Sequence, residues 1–138
     1  MERMQIVIDG SKFSTLEGFY TEIDHLLTKN LSWQTGHNLD AFNDLLRGGF
    51  GVHEYEQPLE IHWLHSEKSR KDLGYNATVS HWKEILTCCH PASRRHVAEK
   101  ITAAQNHTGE TLFDKIVKII LDTDNSGHDC ILILDNEP

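Results

Sequence analysis

The chain has 138 residues, 38% hydrophobic and 25% charged, which suits one domain with an ordinary core. Its 21 Asp and Glu against 13 Lys and Arg give a formal net charge of -8, a balance that repels nucleic acid and anionic lipid and favours a basic partner. No apolar stretch approaches the roughly 20 residues of a membrane-spanning helix, and Met1-Glu2-Arg3-Met4 has no secretory apolar segment behind it, so the expected compartment is the cytosol.

Gln5-Ile6-Val7-Ile8 is a short apolar run ended by the turn dipeptide Asp9-Gly10, and it reads as a strand buried on both faces. Ser14 then offers an N-cap, and Glu17 three residues on would complete a capping box. Leu16, Phe19, Ile23, Leu26 and Leu27 follow with the spacing of one helix face. Residues 31–37 read as a loop. Asn38 is placed to cap a second helix whose apolar positions are Leu39, Phe42, Leu45 and Leu46, with Gly48-Gly49 as its stop. After Pro58, residues 59–63 alternate as a second strand.

Residues 66–108 are polar and expected to be helical in pieces. Val79, Trp82, Ile85, Leu86 and Cys89 share a helix face, Pro91 breaks that helix, and a further piece carries Val97 and Ile101. Leu112, Phe113, Ile116, Val117, Ile119, Ile120 and Leu121 predict a strongly apolar, buried helix ended by Asn125-Ser126-Gly127. Residues 130–134 are a third apolar strand. Short apolar strands separated by helices predict a single α/β domain over 1–138, with a small three-stranded parallel sheet flanked by helices. Neither a repeat nor a low-complexity run divides it.

The second helix carries the most specific chemistry. Asp40 and Asp44 lie four residues apart, so they share one helix face, which is not the face of Leu39, Phe42 and Leu46. An acidic residue in a first turn is favoured by the helix dipole, at about 0.3–1 kcal/mol, and that alone accounts for Asp40. Asp44 lies too far along the helix to gain from it, and a cationic partner is one reason for its placement. A carboxylate can accept two hydrogen bonds from an arginine much as a phosphate does.

The run Gly36-His37-Asn38-Leu39-Asp40-Ala41-Phe42-Asn43-Asp44 resembles the signature of the barstar family. The flanks agree: Ile6-Val7-Ile8-Asp9-Gly10 resembles that family's first strand and turn, Pro58-Leu59-Glu60-Ile61-His62-Trp63 its second strand, and Asp129-Cys130-Ile131-Leu132-Ile133-Leu134 its last. The resemblance covers roughly residues 5–74 and 110–135, with about 75–108 as a helical insertion relative to short members. It implies an inhibitor that docks its acidic helix and adjoining loop into the active site of a basic ribonuclease. Asp40 and Asp44 match the inhibitory aspartates, with Asp44 at the strongest contact. Gly36 and Asn38, with His37 between them, match the loop that shapes the binding edge. Gln34 and Thr35 stand where the type member has tyrosines, Asn43 where it has tryptophan, and Asp122 where the family has a glutamate facing the ribonuclease. The lost aromatic anchors put inhibition of the type ribonuclease in question, with Trp33 as a nearby substitute.

Other chemistry is thin. Cys88-Cys89-His90 with His96 has the wrong spacing for zinc, since adjacent cysteines do not readily reach one ion. Cys89 on the Trp82 face reads as core, and three cysteines, two adjacent, are a poor disulfide framework. His37 with Asp40 lacks any sign of a pocket, and Gly48-Gly49-Phe50-Gly51 has no lysine after it. The expectation is a non-enzymatic protein without cofactor or metal, a monomer when free, binding a cognate basic ribonuclease or toxin rather than nucleic acid or membrane. The alternative is an immunity, antitoxin or interaction protein on the same scaffold with a target that is not a ribonuclease.

Overall fold

A computed structural model describes residues 3–27, 38–47, 57–122 and 129–135. Strand β1 (Met4–Asp9), β2 (Leu59–Leu64) and β3 (Cys130–Leu134) form one parallel sheet in the order β1-β2-β3. Met4 pairs with Leu59, which pairs in turn with Cys130. The helices are α1 (Leu16–Leu27), α2 (Leu39–Arg47), α3 (Ser66–Asp72), α4 (Tyr75–Cys88), α5 (Arg94–Gln105) and α6 (Leu112–Leu121). The expected parallel α/β architecture is therefore present. Among the described residues no helix is long and apolar enough to cross a membrane.

The strands alternate, and one set of side chains makes the core. Ile6, Ile8, Leu59, Ile61, Trp63 and Cys130 are buried on the same sheet face. Helix α1 packs on β1 and α6 on β3, while α2 lies against both α1 and α6. Trp63 sits at the centre, stacked on Phe19 at 5.5 Å and 5.1 Å from Phe113. Its indole N–H donates to Ser69 Oγ at 3.0 Å, so the polar edge of the core's largest ring is satisfied by α3. The expectation that β1 is buried on both faces is wrong. Gln5 and Val7 are exposed, because the described helices pack on one side of the sheet.

Two helix ends also differ. The α1 cap is Thr15, whose Oγ1 accepts the Gly18 N–H at 3.0 Å. The helix begins at Leu16, which puts Ser14 one residue too early, and its Oγ instead accepts from Lys68 Nζ at 3.2 Å. A capping box does exist at α6, where Thr111 and Asp114 exchange two 3.1 Å bonds. That helix ends at Leu121 with Asp122 as its C-cap. It therefore stops before Asn125-Ser126-Gly127, which lies outside the described residues, as do the loop 31–37 and the Gly48-Gly49 stop.

Residues 75–108 are helical, as expected, but are anchored differently. Helices α4 and α5 pack mainly on each other, burying Val97, Ile101 and Ala104. The expected anchors Val79, Trp82, Ile85 and Leu86 are only half-buried, and Cys89 is a half-buried C-cap rather than core. The tie to the rest of the fold is Thr78, 2% exposed. Its hydroxyl donates to the Gly74 carbonyl at 2.7 Å and accepts the Leu112 N–H at 3.0 Å. Ala77 touches the main core, and Lys115 of α6 lies 5.1 Å over the Trp82 ring.

Candidate functional site: the outer face of the second helix

Helix α2 starts where the sequence places it. Asn38 Oδ1 accepts the Ala41 N–H at 2.8 Å, and the Asn38 carbonyl accepts the Phe42 N–H at 3.1 Å. Its carboxamide is thus engaged in holding the helix start, a positioning role beside the one the motif implies. Phe42, Leu45 and Leu46 are buried, with Phe19 edge-on to Phe42 at 5.3 Å. This fixes the rotation of α2 about its axis and turns Asp40 and Asp44 outward. Both are exposed, and among the described residues neither carboxylate has a hydrogen-bond or ion-pair partner.

A neighbouring helix enlarges the acidic field. The Tyr20 hydroxyl of α1 is pushed up to about 12, first by burial and then by the carboxylates of Glu17 and Asp40. Glu17 therefore shares the electrostatic neighbourhood of Asp40. Sequence spacing gave no sign of this, because the two residues sit on different helices. Asn43, on α2 between the two aspartates, is half-buried, and its Oδ1 is a buried acceptor without a hydrogen bond. Such an atom costs about 1–3 kcal/mol relative to a satisfied one. Asp122 is half-buried at the end of α6, the helix beside α2, and its N–H donates to the Ile119 carbonyl at 3.3 Å. Gln34, Thr35, Gly36 and His37 lie outside the described residues.

The rival chemistries gain no constellation. Among the described residues no group of three or more His, Cys, Asp or Glu side chains is placed to hold a metal ion. All three cysteines are free. Burial pushes the Cys130 thiol up to about 12, with Asp129 adding to the rise and Arg3 opposing it, so this thiol stays protonated and unreactive at neutral pH.

Comparison with curated proteins and with solved structures finds no match. A family model described as Barstar (barnase inhibitor) matches residues 3–108. That span runs from β1 through α5 and takes in the whole acidic helix, while α6, Asp122 and β3 fall beyond it. The match extends over well more than half of the chain and meets a three-stranded parallel sheet with a capped acidic helix at its side, and on that ground the chain belongs to the barstar family.

Proposed function

We propose that this protein inhibits a basic ribonuclease of the same cell by inserting the outer face of α2, with the loop before it, into the enzyme's active site. The observation that carries this reading is the state of Asp40 and Asp44: two exposed carboxylates on one helical face, neither hydrogen-bonded nor ion-paired to a described side chain. A ribonuclease site concentrates cationic side chains to hold phosphate. Carboxylates four residues apart on a fixed helix offer those side chains charge-assisted hydrogen bonds that stand in for substrate. The family's printed description, an inhibitor of barnase, supports the same class of target. Asp44 is the central contact, Asp40 and residues 34–38 flank it, Asn43 lies alongside, and Asp122 adds a peripheral charge.

On this reading the protein acts in the cytosol and has no hydrolytic activity of its own. The segment 75–108 falls within the span that the family model matches, and no part in the contact is assigned to it. The test is inhibition of the basic ribonuclease encoded by the same organism, by the parent and by Asp44→Ala, at two salt concentrations. Loss of a desolvated partner costs roughly 2–5 kcal/mol, a general range that already includes measurements on barstar itself. Asp44→Ala should therefore weaken inhibition by at least about thirtyfold, with thermal melts near those of the parent. An Asp44→Ala protein that folds and inhibits as well as the parent refutes the assignment.

A further inference from the structure

Sheets made only of parallel strands are nearly always covered on both faces. Among the described residues this one is covered on one. On the other face lie Val7, Ile131 and Ile133, at 45%, 42% and 42% exposure. The register sets Val7 beside His62 and His62 beside Ile133, and in the adjacent row Gln5 beside Glu60 and Glu60 beside Ile131. The surface thus sets three aliphatic side chains around a polar cluster of Gln5, Glu60 and His62, with one carboxylate at its centre. That carboxylate is held in place: Gln5 Nε2 donates to Glu60 Oε2 at 2.7 Å, and His62 Nε2 lies 2.8 Å from the same oxygen. Both contacts fall on Oε2, which leaves Oε1 to accept from outside. Asp9 adds negative charge at the rim, its carboxyl held below the ordinary value by its bonds to Ser11.

We propose that this face is a docking site for an amphipathic helix of another protein, one that presents a lysine or arginine among aliphatic residues. Charge complementarity and shape select that occupant. Three strands about 4.8 Å apart and five or six residues long make a strip of roughly 14 by 20 Å, one helix wide and matched by about 13 helical residues. The aliphatic side chains supply the apolar contact, and Glu60 supplies one central acceptor for a cation. A second copy of this chain fits poorly. Two such strips face to face would oppose Glu60 to Glu60 in a chain of net charge -8.

The experiment uses the full chain with labelled methyl groups, titrated with a synthetic amphipathic peptide of about 14 residues carrying a central arginine in its leucine face. The expected result is saturable shifts at Val7, Ile131 and Ile133, and their loss when the peptide's arginine is replaced by glutamate. Glu60→Lys should weaken the arginine peptide at least about tenfold and make the glutamate peptide the better ligand. Its inhibition of the ribonuclease should be unchanged. Should Glu60→Lys fold poorly, Glu60→Gln removes the charge alone and should lose the preference between the peptides. Shifts that are absent, that fall elsewhere or that ignore the peptide's charge overturn the proposal. So does a concentration-dependent dimer that Glu60→Lys abolishes.

Discussion

Replacing Thr78 by valine removes one hydroxyl and keeps the side chain's shape. In the native fold that hydroxyl accepts the Leu112 N–H at 3.0 Å, at a position 2% exposed. Leu112 is the first residue of α6, so its N–H has no partner within its own helix. The Gly74 carbonyl keeps its bond from the Thr78 N–H at 3.0 Å, so one buried donor is orphaned, not two groups. The expected cost is about 1–3 kcal/mol. Thr78→Ser keeps the hydroxyl and loses only a methyl, worth about 1 kcal/mol with its small cavity. The order of stability is therefore parent, then serine, then valine. Urea unfolding followed by tryptophan fluorescence reads the difference. With a slope of about 2 kcal/mol per molar urea, a loss of about 2 kcal/mol moves the valine midpoint by roughly 1 M. A valine variant as stable as the parent, or more stable than the serine variant, would show that the Leu112 N–H does not depend on Thr78 and that the α4–α5 hairpin is tied to the core by other means.

The remaining expectations can be stated briefly. A Cβ at Gly10 would sit 2.5 Å from Ser69 Oγ and 2.8 Å from the carbonyl oxygens of Leu64 and His65. Gly10→Ala should therefore cost roughly 1–3 kcal/mol, towards the upper end because two of the three neighbours are backbone, measured as the shift in urea midpoint. Asn38→Ala should cost about 1 kcal/mol through the lost α2 cap and should also weaken ribonuclease inhibition, since the cap sets the register of Asp40 and Asp44. Tyr20 and Cys130 have ordinary values of 10.0 and 9.0 and are raised to about 12 in the fold. Between those limits the unfolded chain holds fewer protons than the native one, so stability is intact below about pH 9 and falls as pH rises towards 12. Thermal melts across that window, with Tyr20→Phe and Cys130→Ala flattening the loss, check the sign.

Much of the architecture was legible because it rests on period and punctuation. Three apolar runs bounded by turn residues gave the strands, and Leu39, Phe42, Leu45 and Leu46 behind Asn38 gave α2 with its cap. The same pattern placed Asp40 and Asp44 on the outer face, since four residues of separation fix a direction once the apolar face is known. The errors share a cause. Val7 is aliphatic, but whether an aliphatic strand residue is covered depends on where distant helices pack. Thr78 is polar, so a count of apolar positions passes over the residue that ties α4 to α6. Thr15 adjoins Ser14, and either could cap until the first helical residue is known. Around the candidate site, the nearness of Glu17 and Tyr20 to Asp40 and the unpaired Oδ1 of Asn43 arise from contacts between elements, which no local spacing encodes.

The parallel register has a consequence for how the chain assembles. Gln5 meets Glu60 across a separation of 55 residues, and Ser66 meets Asp135 across 69, so each sheet pairing closes a long loop before any local turn can guide it. Pairings of that kind slow folding, and β3 emerges from the ribosome well after its partner. Until it does, β2 offers an unsatisfied edge beside Trp63 and the exposed interior of the core. A nascent chain halted before residue 130 would be an aggregation-prone species, however regular its helices. The acidic surface of α2 is by then already synthesised, with Phe19 of α1 in place against Phe42, while α6, which also packs on α2, is the later partner.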